Sequence, residues 1–184
     1  MKTFKFITPR QISILDILTM GDSEKAEDAT KIGQYASGLK YAIALLMRNN
    51  IAIVIESGNY LEEQHRRFRF FTEKLKDEEV GKNKEVIGIE NYDIEENKVT
   101  RHITGFSTKL GLDWQLGYAF RELASNMIDE GGHWIEGEDS GYRPSHMDEY
   151  TEITLTWEDN PEWDEIIENK DDWVLSPDSL VQEI

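Results

Sequence analysis

Three polar residues, Glu122, Asn126 and Asp129, are spaced so that one side of a helix would carry all of them. Positions four and seven apart share a helix face, and here that face borders an apolar stripe. Two carboxylates and an amide in one space suit a hydrated cation, because magnesium prefers oxygen ligands, keeps several waters and binds nucleotide phosphates. The same residues are also ordinary on an exposed helix face, so the spacing alone leaves both interpretations open.

A second segment, residues 33–40, places Gly33 and Gly38 at the predicted entrance of a helix. Glycine lets a backbone approach a phosphate, and a helix N-terminus adds unpaired N–H groups and the positive end of the helix dipole. Turn or packing geometry would account for two glycines equally well. A P-loop is not favoured, because Leu39 stands where that motif requires lysine and an acidic stretch precedes the segment.

Together the two segments resemble motifs of the Bergerat-fold or GHKL ATPases, the superfamily of gyrases, heat-shock ninety chaperones, histidine kinases and MutL-like proteins. IGQYASGLKYA is similar to the ATP-lid and glycine motif, especially that of microrchidia-type members, and RELASNMIDEGG is similar to the asparagine-box helix. Residues 20–23, Met-Gly-Asp-Ser, look like the step that opens the lid. The family has the helix before the lid, so this chain looks circularly permuted, which a fold tolerates when the break lies in a surface loop.

The resemblance implies ATP and Mg²⁺ as ligands. Glu122 would orient or deprotonate the attacking water, Asn126 would ligate magnesium, and Asp129 would shape the nucleotide pocket. In the family an Asp in a D-x-G-x-G motif receives adenine, and residues 158–161, Glu-Asp-Asn-Pro, are the nearest match here. That match nominates Asp159, although proline replaces the glycine and a plain surface turn is the alternative. The residues implied around the phosphates are Gly33, Gln34, Tyr35, Ser37, Gly38, Leu39 and Lys40.

The elements that would position these residues predict an α+β fold, a two-layer sandwich with helices on one face of a mostly antiparallel sheet. One domain is expected over residues 1–184, with an acidic C-terminal segment. Asp113 is predicted to cap the helix that carries Asn126, and two glycines at 131 and 132 are predicted to end it. A nearly continuous apolar, β-branched run predicts a central strand at 51–57, and alternation predicts strands at 65–76 and 151–157. The segments 85–92 and 98–107 are interpreted as one or two further strands of an antiparallel meander. Helices are predicted at 12–18, 33–48, 113–130 and 161–173, the last because it begins with proline.

One predicted strand interleaves bases with aromatic residues, as single-strand nucleic-acid binders do. The segment is His-Arg-Arg-Phe-Arg at 65–69. Alternating strand faces account for it better, since Phe68 and Phe70 would lie on one face and Arg67 and Arg69 on the other.

Composition limits the choice of partner. The 184 residues carry a net charge of -17 and no cysteine, which excludes disulfides and thiolate chemistry and argues against broad nucleic-acid binding. No apolar run is long enough for a bilayer, so a cytoplasmic protein is expected. From Pro144 onward, thirteen Asp or Glu residues accompany the single basic Lys170, which is either a solubilising surface or a patch for a basic partner.

Three classes of function remain open from the sequence. The first is a slow Mg²⁺-dependent ATPase whose cycle changes its contacts in a homodimer or with a protein partner. The second is a nucleotide-binding module without turnover. The third is an acidic interaction protein, such as an adaptor or a counter-defence protein.

Overall fold

The computed structural model describes residues 1–19, 37–137 and 148–174. The predicted lid-opening residues 20–23 and the candidates Gly33, Gln34 and Tyr35 lie outside these ranges. The described elements, in chain order, are β1 (Lys2–Thr8), α1 (Ile14–Leu18), α2 (Ser37–Arg48), β2 (Ala52–Asn59), β3 (Gln64–Asp77), β4 (Lys82–Asp93), β5 (Lys98–Ile103), α3 (Leu116–Asp129), β6 (His133–Glu136), β7 (Glu149–Trp157), α4 (Pro161–Glu168) and α5 (Lys170–Val174).

The strands form one sheet in the order β5-β4-β3-β2-β7-β1-β6, and every neighbouring pair is antiparallel. The predicted meander of consecutive strands is confirmed in β3, β4 and β5. The other half of the sheet joins distant parts of the chain, because β1 lies between β7 and β6. Each end of the sheet therefore collects residues from several separate segments.

All described helices contribute to a single hydrophobic cluster on one face of the sheet. Period-two alternation directs every second strand residue toward that cluster, and an apolar stripe on each long helix meets them. The predicted two-layer α+β architecture is thereby confirmed. The buried members of the hydrophobic cluster include Phe4, Phe6, Ile55, Phe68 and Ile89 from the strands. Those from the helices include Leu39, Ile43, Phe120, Leu123 and Trp163.

Helices α2 and α3 pack side by side and run in opposite directions. The guanidinium of Arg48, the last residue of α2, donates to the carbonyls of Leu110 at 2.9 Å and Gly111 at 3.0 Å, just before α3 begins. The ring of Tyr41 stacks on Trp114 with a centroid distance of 4.7 Å. The N-terminal end of α2 lies beside the middle of α3, where Gly38 contacts Glu122.

Several predicted boundaries were wrong. Helix α3 begins at Leu116 with Gln115 as its N-cap, so Asp113 does not cap it, whereas Gly131 ends it with a φ of 73° as expected. The helix predicted over 161–173 is divided into α4 and α5 at Asn169. Strands β1 and β6 were not predicted. No helix within the described ranges has the length and apolarity needed to cross a bilayer.

Candidate functional site

Asn126 is the most unusual polar residue of the core. It is 6% exposed, and its neighbours on α3, Leu123 and Met127, belong to the buried apolar stripe. Its amide nitrogen donates to Oε1 of Glu122, one turn earlier, at 3.4 Å, while its Oδ1 is buried without a hydrogen-bond partner among the described residues. A buried unpaired acceptor costs about 1–3 kcal/mol, so this carbonyl oxygen is available to a ligand.

Glycine at position 38 allows the two helices to meet at Glu122. A Cβ atom at residue 38 would overlap the Glu122 carboxylate, and the adjoining Cγ of Glu122 lies 2.8 Å from that position. Glu122 therefore lies directly against the first turn of α2, and Asn126 lies one helical turn further toward the end of α3. The structure thus brings together Glu122, Asn126 and Gly38, which are 84 to 88 positions apart in the sequence.

The first turn of α2 contributes backbone groups to this region. The first N–H groups of an α-helix have no partner within the helix, and they carry the positive end of its dipole. Ser37 is the first helical residue, and no acidic residue lies in the first turn to neutralise that end. Leu39 is fully buried in the core, so only its backbone can face a ligand, whereas Lys40 is partly exposed.

Two acidic residues end α3 in different environments. Asp129 is exposed, yet its pKa is raised, first because protein atoms displace part of the water around its carboxylate and second because Glu130 is negatively charged. Glu130 forms an ion pair with Arg10, and its side chain is only 7% exposed. That pair ties the loop after β1 to the end of α3.

Three short polar residues that lie together at one end of the sheet, Thr8, Ser57 and Thr151, were not predicted. Ser57 Oγ accepts a hydrogen bond from the backbone N–H of Ile12 at 2.7 Å, and it lies 2.9 Å from Thr151 Oγ1. The Thr151 hydroxyl donates to the carbonyl of Arg10 at 2.5 Å. Thr8 is 4% exposed, and its Oγ1 has no partner in the described part of the chain. Thr8 and Ser57 each follow an apolar strand segment and Thr151 precedes one, and that position is the signal that could have identified them.

The same end of the sheet adjoins the end of α3. Ile7 pairs with His133 across the β1–β6 ladder. A Cβ atom at Gly132, just after the end of the helix, would overlap the Ile7 carbonyl oxygen. The Thr8 hydroxyl and the Asn126 amide oxygen, both buried without a described partner, therefore belong to the same end of the molecule.

Asp159 lies at the other end of the sheet, so the structure does not bring it to the rest of the site. In the β1–β7 ladder Thr151 pairs with Thr8 and Trp157 pairs with Lys2, a span of about 20 Å at ~3.4 Å per residue. The Asp-Asn-Pro sequence instead begins α4. Asn160 is the N-cap, its Oδ1 accepting from the N–H of Trp163 at 3.0 Å, and proline takes the first helical position.

The donor set limits which cation could be bound. No group of three or more His, Cys, Asp or Glu side chains in the described ranges could hold a metal ion. A transition-metal site, which needs several such ligands, is therefore not indicated there. Asn126 Oδ1 beside the Glu122 carboxylate fits Mg²⁺, which takes one or two protein oxygens and completes its shell with water and phosphate.

Gly38→Ala tests the contact between the helices. We expect it to lower the free energy of unfolding by about 1–3 kcal/mol, because the added methyl group displaces the Glu122 carboxylate. In a Glu122→Ala background the same substitution should be neutral or stabilising by up to about 1 kcal/mol, since alanine is the better helix former. Denaturant unfolding of the four proteins measures both values, and equal effects in the two backgrounds would show that Glu122 does not occupy this space.

Comparison with known proteins gave no match: no family model, no curated protein and no solved structure is significantly similar to this chain. A functional assignment therefore depends on the site geometry, together with the motif resemblance.

Proposed function

We propose that this chain binds ATP with Mg²⁺ between the second half of α3 and the N-terminal end of α2. The observation that carries the proposal is the buried Oδ1 of Asn126, which has no partner among the described residues and lies one turn from a carboxylate packed against Gly38. An amide oxygen is a magnesium ligand, and a glycine at a helix N-terminus lets phosphate approach the backbone. The two features come from distant parts of the sequence and meet at one place.

Each residue then has a defined task. Asn126 holds the cation through Oδ1, and the N–H groups of the first turn of α2 bind phosphate oxygens. Magnesium, when bound, offsets the negative charge of the phosphates. Lys40 adds a positive charge beside the same helix end. Glu122 is held by Asn126 and by its packing against Gly38, which fixes it as the base that orients or deprotonates water.

The choice of adenine comes from the motif resemblance alone. Asp159 is too distant to receive the base, and the buried hydroxyl of Thr8 is a polar group at the correct end of the sheet that is free to do so. Turnover is the second part of the proposal. The alternative is a module that binds the nucleotide without hydrolysing it, working in the cytoplasm with a protein partner or as a homodimer.

A thermal-shift experiment tests occupancy. The full chain is heated with ATP, ADP or GTP, each with and without Mg²⁺. At 100 times its dissociation constant a ligand should add about 2.7 kcal/mol to the stability of the folded state. We expect the largest increase in Tm for ATP with Mg²⁺ and a smaller one when EDTA replaces the metal. If no nucleotide moves the Tm, ATP binding is rejected and the acidic interaction protein becomes the better interpretation.

A further inference from the structure

On the face of the sheet opposite the helices, the half formed by β3, β4 and β5 carries arginine. Phe68 of β3 is fully buried under the helices, so the alternate residues of this strand point to the opposite face. The ladders continue this face across β4 to β5. We call six of its outward side chains on β3 and β5 the arginine face: Arg67, Arg69, Phe71, Val99, Arg101 and Ile103.

The charge of the arginine face is opposite to that of the whole chain. Its three guanidinium groups accompany Glu90 on β4, which pairs with Arg101 at 3.4 Å, while Arg67 pairs with Glu56 of β2 at 3.5 Å. Arg69 is exposed and has no ion pair within the described ranges. In a chain whose net charge is -17, the three arginines of this surface outnumber the neighbouring Glu56 and Glu90 by one.

The same face carries apolar area at the edge of the sheet. Val99 is 55% exposed and Ile103 is 43% exposed, and both lie on the edge strand β5. Between Val99 and the arginines a groove of about 280 Å³ is lined by Tyr92. Arginine and tyrosine are enriched at protein interfaces, and the two exposed aliphatic residues add apolar area beside them.

The backbone of β5 is open on its outer side. The backbone N–H of Thr104 donates to the carbonyl of Ile87 at 2.9 Å, so the backbone of Thr104 faces β4, while the N–H of Ile87 donates to Phe106 at 2.8 Å. Hydrogen-bonded and non-hydrogen-bonded pairs alternate along an antiparallel ladder, so the N–H and C=O groups of Val99, Arg101 and Ile103 point away from β4. Within the described ranges these groups have no backbone partner. A strand added beside β5 could therefore contact the side chains of these three residues and also pair with their backbone groups.

We infer that β5 accepts an extended acidic segment of a protein partner as an eighth strand. Its side chains on the same face would lie about 4.5–5.5 Å from those of Val99, Arg101 and Ile103. The complementary pattern is apolar-x-acidic-x-apolar, with the acidic residue beside Arg101. This inference does not depend on nucleotide binding, because the site of α2 and α3 lies on the other face.

Two other occupants fit less well. A second copy pairing through β5 about a two-fold axis would bring Lys98, Arg101 and His102 of one strand close to the same residues of the other, and like charges across a ladder are destabilising. Single-stranded nucleic acid needs free aromatic faces. The guanidinium of Arg101 already covers the ring of Phe71, with its Cζ 4.2 Å from the ring centroid, so this ring is not free to stack on a base.

Fluorescence anisotropy of two labelled peptides with the full chain tests the inference. The probes are Thr-Val-Thr-Glu-Thr-Val-Thr and the same peptide with Lys in place of Glu. We expect the Glu peptide to bind the parent chain about tenfold more tightly, because one cross-strand pair changes from attraction to repulsion. Arg101→Glu should reverse this preference. Arg101→Gln, which only removes the charge, should make the two affinities equal.

Two controls make the result specific. Lys109→Glu reverses one positive charge, as Arg101→Glu does, but at an exposed position outside the sheet. It should leave both affinities unchanged. A labelled twelve-nucleotide dT strand competes as the third probe. Equal binding of the two peptides to the parent chain, no binding of either, or tighter binding of the dT strand that Arg101→Glu weakens would each overturn the inference. Circular dichroism verifies that each variant is folded.

Discussion

Replacing Asn126 with alanine is expected to abolish the Mg²⁺-dependent stabilisation by ATP while leaving the protein folded. The variant removes the only oxygen assigned to the cation. It also removes a buried acceptor that has no partner in the described structure, so the loss of the side chain carries little hydrogen-bonding cost beyond its weak contact with Glu122 at 3.4 Å. Loss of binding without loss of folding distinguishes a ligand-binding residue from a structural one.

Isothermal calorimetry with ATP and MgCl₂ measures the affinity, and denaturant unfolding measures stability. Ser125→Ala is the matched control, because the neighbouring residue lies on the same helix and is partly exposed. We expect at least a hundredfold weaker binding for Asn126→Ala, which corresponds to about 2.7 kcal/mol, and no change for the control. An unchanged affinity in the Asn126 variant would remove this residue from the site.

Glu122→Gln is expected to keep ATP binding and to lower turnover by about 10²–10⁴-fold, the usual contribution of a positioned base. The glutamine has the size of the parent side chain, so it keeps the packing against Gly38. Its carbonyl oxygen can still accept the hydrogen bond from Asn126. Only the ability to take a proton is lost, which separates the base role from the structural role.

Phosphate release under saturating ATP measures this effect, and calorimetry supplies the affinity. The control Glu165→Gln replaces an exposed carboxylate on α4 and should leave turnover unchanged. Equal turnover in Glu122→Gln and the parent would reject Glu122 as the base. No measurable turnover in the parent, with tight binding, would instead identify a nucleotide-binding module without hydrolysis.

The central part of this fold was predictable because its sequence periods are unambiguous. Leu116, Phe120, Leu123 and Met127 fall on one helix face and are all buried, as their spacing predicts. The alternation of Phe68 with Arg67 and Arg69 gave the strand and its faces. In both segments local amphipathicity agrees with the tertiary environment, so sequence period alone was sufficient.

Other features depend on contacts that no local pattern reveals. Strand β1 alternates Phe4 and Phe6 with Thr3 and Lys5, but the segment is short and its partners are far away in the sequence. Asp113 has the residue type of a cap, yet the helix begins only after Gln115. The reason is that Trp114 stacks on Tyr41 and its N–H donates to the carbonyl of Gly111 at 3.0 Å, which holds these residues in a turn before the helix.

The residues of the candidate site were predicted from residue type and spacing, and the structure shows which of them lie close together. Glu122 and Asn126 were identified from a spacing of four, and their meeting with Gly38 required the antiparallel packing of α2 and α3. Asp159 was selected because Glu-Asp-Asn-Pro resembled the adenine-binding motif of the family. The same residues also begin a helix, with Asn160 as its N-cap. Thr8 and Ser57 were missed because a lone hydroxyl at a strand end is common and only burial distinguishes it.

The position of β1 in the sheet sets the order in which the molecule can be completed. Its partners are β6 and β7, and the hydroxyl of Thr151 bonds the carbonyl of Arg10 across 141 positions of sequence. Both partners of β1 are present only after β7, the last strand described, has been synthesised, and closing so long a loop slows folding. Until β7 is present, β2 lacks its second neighbour, and Thr8 and Ser57 lack Thr151 as their partner in the sheet.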